Sequence, residues 1–82
     1  MPGEVHRDGE MWSAALWQIR TAIGATKADK AILAAHFLLT TNASFSDGSN
    51  ALVTAAINLG YHMNEVNAIR TILQNRGFTV TV

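Results

Sequence analysis

The sequence predicts an all-α fold: a compact bundle of about four helices, with an extended N-terminal lead-in and a short C-terminal tail. Three observations predict it. Apolar residues recur at helical spacing in four separate segments. Each segment is bracketed by start and stop signals: Asp8 and Gly24, Thr26 and a polar loop at 40–45, Ser46 and Gly60, Asn64 and Gly77. Strand-like alternation is confined to the final residues, Phe78-Thr79-Val80-Thr81-Val82. A run that short forms a strand only against a partner edge.

The first helix follows Asp8, a good N-cap, with Glu10 placed to complement the helix dipole. Trp12, Leu16, Ile19 and Ile23 share one face. Trp17 points roughly 140° away from Trp12 at about 100° per residue, so this helix offers apolar surface in two directions. Gly24 closes it as a C′ glycine. In the second helix Thr26 and Asp29 have capping-box spacing. Ala28, Ile32, Ala35 and Leu39 form one stripe, Leu33 and Phe37 another, and Ala31, Ala34 and Leu38 fill much of the remainder. A helix apolar nearly all round is normally buried on most sides, which makes this one the expected centre of the domain. The third helix opens at Ser46 with Asp47 in its first turn and carries Leu52, Ala55, Ala56 and Leu59 inward. The fourth opens at Asn64, turns Val66, Ile69, Ile72 and Leu73 inward, and leaves Asn67, Arg70, Gln74 and Asn75 to solvent.

Eighty-two residues make a single domain, residues 1–82. The apolar fraction of 49% supplies a core. With no cysteine there is no disulfide framework and no thiolate metal site. Six basic residues cancel six acidic ones, which speaks against nucleic acid as a partner, since phosphate neutralisation needs clustered Lys and Arg. No apolar run approaches the ~18 residues of a membrane span. No basic n-region and apolar h-region open the chain, so no signal peptide is read, and the compartment is left open.

Three histidines, His6, His36 and His62, invite a metal reading. No two stand four apart and there is no H-E-x-x-H, so spacing favours no zinc site. His36 reads as a buried or half-buried histidine bonded to backbone, and His62 as a solvated loop residue. His6, Asp8 and Glu10 cluster at a helix start, where a cap, a dipole partner and an exposed loop histidine account for them. As acid–base groups they would make the chain an enzyme of its own, but a small bundle is expected to offer little concave surface against the roughly 300 Å³ a ligand site needs.

The identities around His6 carry more. The run Val5-His6, Gly9-Glu10, Trp12-Ser13 and Leu16-Trp17 resembles the last active-site motif of the fungalysin family of zinc metallopeptidases, relatives of thermolysin. That pattern is V-H, a short gap, G-E, a hydrophobic residue, W, a small residue and then L-[YW]. Ile32-Leu33, His36-Phe37 and Leu38-Leu39 are similar to the family's second helix. Asn42-Ala43-Ser44-Phe45 is similar to its N-P-[TS]-F loop, with Ala43 where proline often stands. Arg76-Gly77-Phe78 looks like the close of its catalytic domain. The likeness runs from about residue 4 to 78. It implies the C-terminal helical lobe of a two-lobed peptidase, whose N-terminal lobe carries H-E-x-x-H and a further glutamate ligand. It gives His6 the role of donating a hydrogen bond to the oxyanion formed when water attacks a peptide carbonyl. Zinc is then the cofactor of the parent family, and none is expected in the isolated chain.

The resemblance implies a fragment or separately encoded lobe of a zinc metalloendopeptidase, inactive alone, whose partner is an N-terminal peptidase lobe. The alternative is a stand-alone helical interaction or oligomerisation module that kept the fold without the chemistry. Trp17, Leu33 and Phe37 are the interface candidates in that case, through self-association or another partner. The family is secreted.

Overall fold

In the computed structural model the backbone is described for residues 2–82 and the side chains for residues 8–82. Four helices follow one another: α1 (Pro2–Ile23), α2 (Ala25–His36), α3 (Phe45–Asn58) and α4 (Met63–Asn75). The described residues contain no strand, and the fold is the all-α bundle of four helices with a short C-terminal tail. α1 packs on α2 and α4, and α3 packs on the same two helices. The Cα radius of gyration is 11.9 Å, against about 11.7 Å expected for a compact chain of this length. No helix among the described residues is long and apolar enough to cross a membrane.

The helix stops lie where glycine placed them. Gly24, Gly60 and Gly77 all have positive φ, the conformation in which a Cβ is costly. Gly60 and Gly77 close α3 and α4 in the same way. Gly60 N–H donates to Ile57 C=O at 3.0 Å and Tyr61 N–H to Ala56 C=O at 3.1 Å. Gly77 N–H donates to Gln74 C=O and Phe78 N–H to Leu73 C=O, both at 3.0 Å. Each is a Schellman closure with an aromatic residue just beyond the glycine. At Gly24 a single residue joins two helices: its N–H donates to Arg20 C=O at 2.9 Å and its C=O accepts from Ala28 N–H at 3.0 Å.

The helix starts differ from the expected ones. Asp8 stands inside α1, which winds back to Pro2. Proline suits a first helical position, because its missing N–H would have had no partner there. The lead-in expected ahead of Asp8 falls on residues 1–7, whose side chains lie outside the described set. α2 begins at Ala25 with Gly24 as its N-cap and no side-chain cap, so Thr26 and Asp29 form no capping box. Asp29 instead pairs with Arg20 of α1 at 3.0 Å. α3 is capped by Ser44, two residues before Ser46. Ser44 Oγ accepts from Asp47 N–H at 3.1 Å, and Asp47 Oδ2 accepts from Ser44 N–H at 3.0 Å. α4 opens after His62, two residues before Asn64, with Glu65 Oε1 accepting from His62 N–H at 3.1 Å.

The core is built mainly by α3, not α2. Seven α3 residues are buried, against three in α2, all of them alanine. Ala28, Ala31 and Ala35 let α2 lie close on its neighbours, while Leu33, Phe37 and Leu38 face outward. Ile19, Leu52, Val53, Ile69 and Leu73 are fully enclosed. Leu59, expected inward, is exposed. The tail keeps its alternation without a strand. Phe78 and Val80 pack on the core, Thr79 and Thr81 face out, and Thr81 N–H donates to Asn50 Oδ1 at 2.8 Å.

Candidate functional site

α1 divides the two tryptophans between opposite tasks. Trp12 turns inward and packs against the core. Its ring meets Phe78 edge-on at 5.3 Å and Phe45 at 5.7 Å, and Phe45 and Phe78 are 5.8 Å apart. The three come from α1, the first turn of α3 and the tail, so this cluster ties both ends of the described chain to the bundle. Trp17 is 67% exposed, as the 140° offset predicts. The Arg20 guanidinium lies 5.1 Å over its ring, and Arg20 reaches across to Asp29 on α2.

The other two interface candidates share a face of α2. Leu33 and Phe37 stand four residues apart, and Asp29 stands four residues before Leu33, so all three lie one above another. Leu33 is 59% and Phe37 83% exposed. The Arg20–Asp29 bridge thus connects the Trp17 side of α1 to the Leu33–Phe37 face of α2.

His6, the residue to which the family resemblance gives a catalytic role, lies outside the residues whose side chains are described. His36 is exposed, not half-buried against backbone as expected. It stands in the last turn of α2 and borders a groove between α1, α2 and α3. His62 is exposed at the start of α4, as a solvated residue there should be. Among the described residues no three or more His, Cys, Asp or Glu side chains converge as metal ligands.

The groove is the feature that sequence reasoning missed. Its volume is about 460 Å³, within the usual range for ligand sites, so the expectation that this bundle offers little concave surface is corrected. Trp12, Phe45, Leu16, Ile32 and Leu39 supply its apolar walls, and Asp8, His36 and Ser44 are its polar lining groups. Gly48 forms part of the floor, where a side chain would collide with Trp12. No local pattern announces such a groove, because its wall is assembled from three helices and the loop before α3.

Away from the groove lining, Lys27, Tyr61 and Glu65 form a polar cluster. Lys27 Nζ lies 2.7 Å from Glu65 Oε2 and 5.4 Å from the Tyr61 ring centre, and Tyr61 Oη donates to Lys27 C=O at 2.8 Å. The Lys27 hydrogen bond holds the Glu65 carboxyl below its ordinary range, and burial pushes the Tyr61 hydroxyl above its own. This cluster fastens α2 to the start of α4.

No family model, curated protein or solved structure matches this chain.

Proposed function

We propose that the chain is the C-terminal helical lobe of a fungalysin-like zinc metalloendopeptidase, inactive alone and active when paired with a zinc-binding lobe. The observation that carries this reading is the division of labour on α1. Within the stretch that resembles the family motif, Trp12 anchors the helix in the bundle and Trp17 is left exposed, as Leu33 and Phe37 are. A lobe that must dock on a second lobe needs both: a helix fixed in its own core, and apolar surface that stays uncovered until docking.

In this reading the metal is held by the zinc-binding lobe, as the family resemblance implies. What this chain contributes is His6, just ahead of the anchored part of α1. Its imidazole would donate a hydrogen bond to the oxyanion of the tetrahedral intermediate, where charge develops that was absent in the substrate. Docking would also exclude water from that oxyanion, which strengthens the bond.

A stand-alone interaction module is the second reading, favoured by the same exposed residues. Sedimentation separates the two. The lobe reading predicts a monomer alone and a 1:1 complex with a separately produced zinc-binding lobe of a fungalysin-like peptidase. A stable homodimer sealed by Trp17, Leu33 and Phe37, with no affinity for that lobe, establishes the module instead.

A further inference from the structure

The loop between α2 and α3 carries a motif that the lobe function leaves unused. Asn42-Ala43-Ser44 is an asparagine, a residue other than proline and a serine, the acceptor pattern for an N-linked glycan. Of the six asparagines in the chain, Asn42 alone is followed by this pattern, and it alone stands outside a helix. Asn50 and Asn58 belong to α3, and Asn64, Asn67 and Asn75 to α4. A bulky, water-loving glycan is accommodated on a surface loop, where its attachment displaces no packing. Asn42 and Ser44 are both exposed. Ala43 N–H donates to Thr40 C=O at 3.2 Å, which closes a turn with Thr41 and Asn42 at its corner. Ser44 leaves that turn in extended backbone, at φ −83° and ψ 173°. Its hydroxyl accepts from Asp47 N–H, which leaves its own proton free to donate.

The middle residue decides whether such a triplet can act. Proline at position 43 would have no N–H to give Thr40 C=O, and would drive the residue before it towards extended backbone and out of the turn. The family pattern that this loop resembles is N-P-[TS]-F, and a proline in the middle bars the acceptor. Ala43, where that proline often stands, lifts the bar. We propose that Asn42 carries an N-linked oligosaccharide. In the transfer, Asn42 Nδ2 attacks C1 of the first sugar of a polyprenyl-pyrophosphate-linked oligosaccharide. The N–C bond forms as the bond from C1 to the pyrophosphate oxygen breaks. The polyprenyl pyrophosphate leaves with the electron pair, and one amide proton passes to a base of the transferase. The peptidase-lobe reading contributes only the secreted placement, where such a donor is met; neither zinc nor a second lobe enters. The next residue, Ala43, lines the groove between α1, α2 and α3, so the glycan is rooted at the edge of that groove.

The test expresses the 82-residue chain behind a cleavable signal sequence in a eukaryotic host that glycosylates its secreted proteins. The secreted chain is expected to include a slower-migrating species that peptide-N-glycosidase F collapses to the bare chain, with peptide mapping finding the resulting aspartate at position 42. Asn42→Gln and Ala43→Pro are each expected to abolish that species. Ser44→Thr, which keeps both the hydroxyl and the cap of α3, is expected to retain it. The glycosylated chain is expected to keep the urea midpoint of its deglycosylated form, because Asn42 is exposed. A secreted chain without glycan overturns the proposal. So does a glycan that persists in Asn42→Gln or Ala43→Pro, and so does a urea midpoint lowered by its presence. None of these readouts involves peptide hydrolysis, so their outcome is separate from that of the lobe reading.

Discussion

The indole of Trp12 on α1 occupies the space that a side chain at position 48 of α3 would take: a Cβ on Gly48 would lie 3.2 Å from Cη2 and 3.4 Å from Cζ2 of the ring. Glycine within a helix ordinarily costs roughly 0.5–1 kcal/mol relative to alanine. Here the substitution also forces the ring to move by a few tenths of an ångström, against Phe45 and Phe78. Overpacking of that kind typically costs about 1–3 kcal/mol. Gly48→Ala is therefore expected to destabilise the chain by about 1 kcal/mol. In a Trp12→Phe background the far ring atoms are gone, and the same substitution is expected to stabilise by about 0.5–1 kcal/mol. Urea unfolding of the four chains of this cycle checks the reversal of sign. A Gly48→Ala effect of equal sign in both backgrounds contradicts the packing account.

Ser49 is fully buried, and its hydroxyl has no hydrogen-bond partner among the described residues. A buried polar group left unpaired costs about 1–3 kcal/mol. Alanine removes the group, keeps the volume nearly unchanged and is the better helix former. Ser49→Ala is expected to raise the urea midpoint, by about 1 kcal/mol of stability. A loss of stability of that size would mean that the hydroxyl is satisfied after all.

The Lys27–Glu65–Tyr61 cluster gives the fold two pH limbs. Glu65 has its carboxyl pKa depressed in the folded chain, chiefly by the Lys27 hydrogen bond. Its contribution is present above the unfolded value, near 4.5, and is lost as pH falls through the lower folded value. Tyr61 has its pKa raised by burial, so its contribution is present below 10.0 and is lost as pH rises through the higher folded value. Glu65→Gln is expected to flatten the acid limb of a stability–pH curve, and Tyr61→Phe the alkaline limb, with each leaving the other in place. The pair is solvent-facing and is expected to weaken with added salt.

Leu33 and Phe37 are exposed and add little to the core. The double change Leu33→Ser with Phe37→Ser is expected to leave folding stability within about 0.5 kcal/mol. It is expected to abolish association with a zinc-binding lobe in sedimentation. Retained association would move the docking surface elsewhere on the chain.

The stops of α1, α3 and α4 were legible in the sequence because each rests on one residue, whereas α2, expected to run through Leu39, ends at His36 with no glycine to close it. Gly24, Gly60 and Gly77 all take positive φ, and few other residues accept it. The inward face of α4 was legible because its polar and apolar residues segregate cleanly: Val66, Ile69, Ile72 and Leu73 are all buried. The starts were harder: α3 and α4 each open two residues before the expected cap. The acid three residues on decides between them. Asp47 stands three after Ser44, and Glu65 three after His62, so the signal was in the chain: it chose between two equal serines in α3 and outweighed the better capping chemistry of Asn64 in α4. α2 resisted because an alanine-rich helix flanked by leucine and phenylalanine has no clear polar side. The fold resolves it by close approach, placing the small residues inside and the large ones out. Trp12 and Trp17 could be separated by angle alone. The groove could not be read at all, since it exists only where Trp12, Ile32, Leu39 and Phe45 converge.

The most direct test of the lobe reading is the rate of casein hydrolysis in the presence of zinc, measured for the 82-residue chain, for a zinc-binding lobe of a fungalysin-like peptidase, and for the two together. The account predicts no hydrolysis by the chain alone and zinc-dependent hydrolysis by the pair well above that of the lobe alone. It also predicts a fall of about 10²–10³ in the rate of the pair when His6→Ala is used, with complex formation unchanged. Hydrolysis by the chain alone, or a pair whose rate is indifferent to His6, would contradict it.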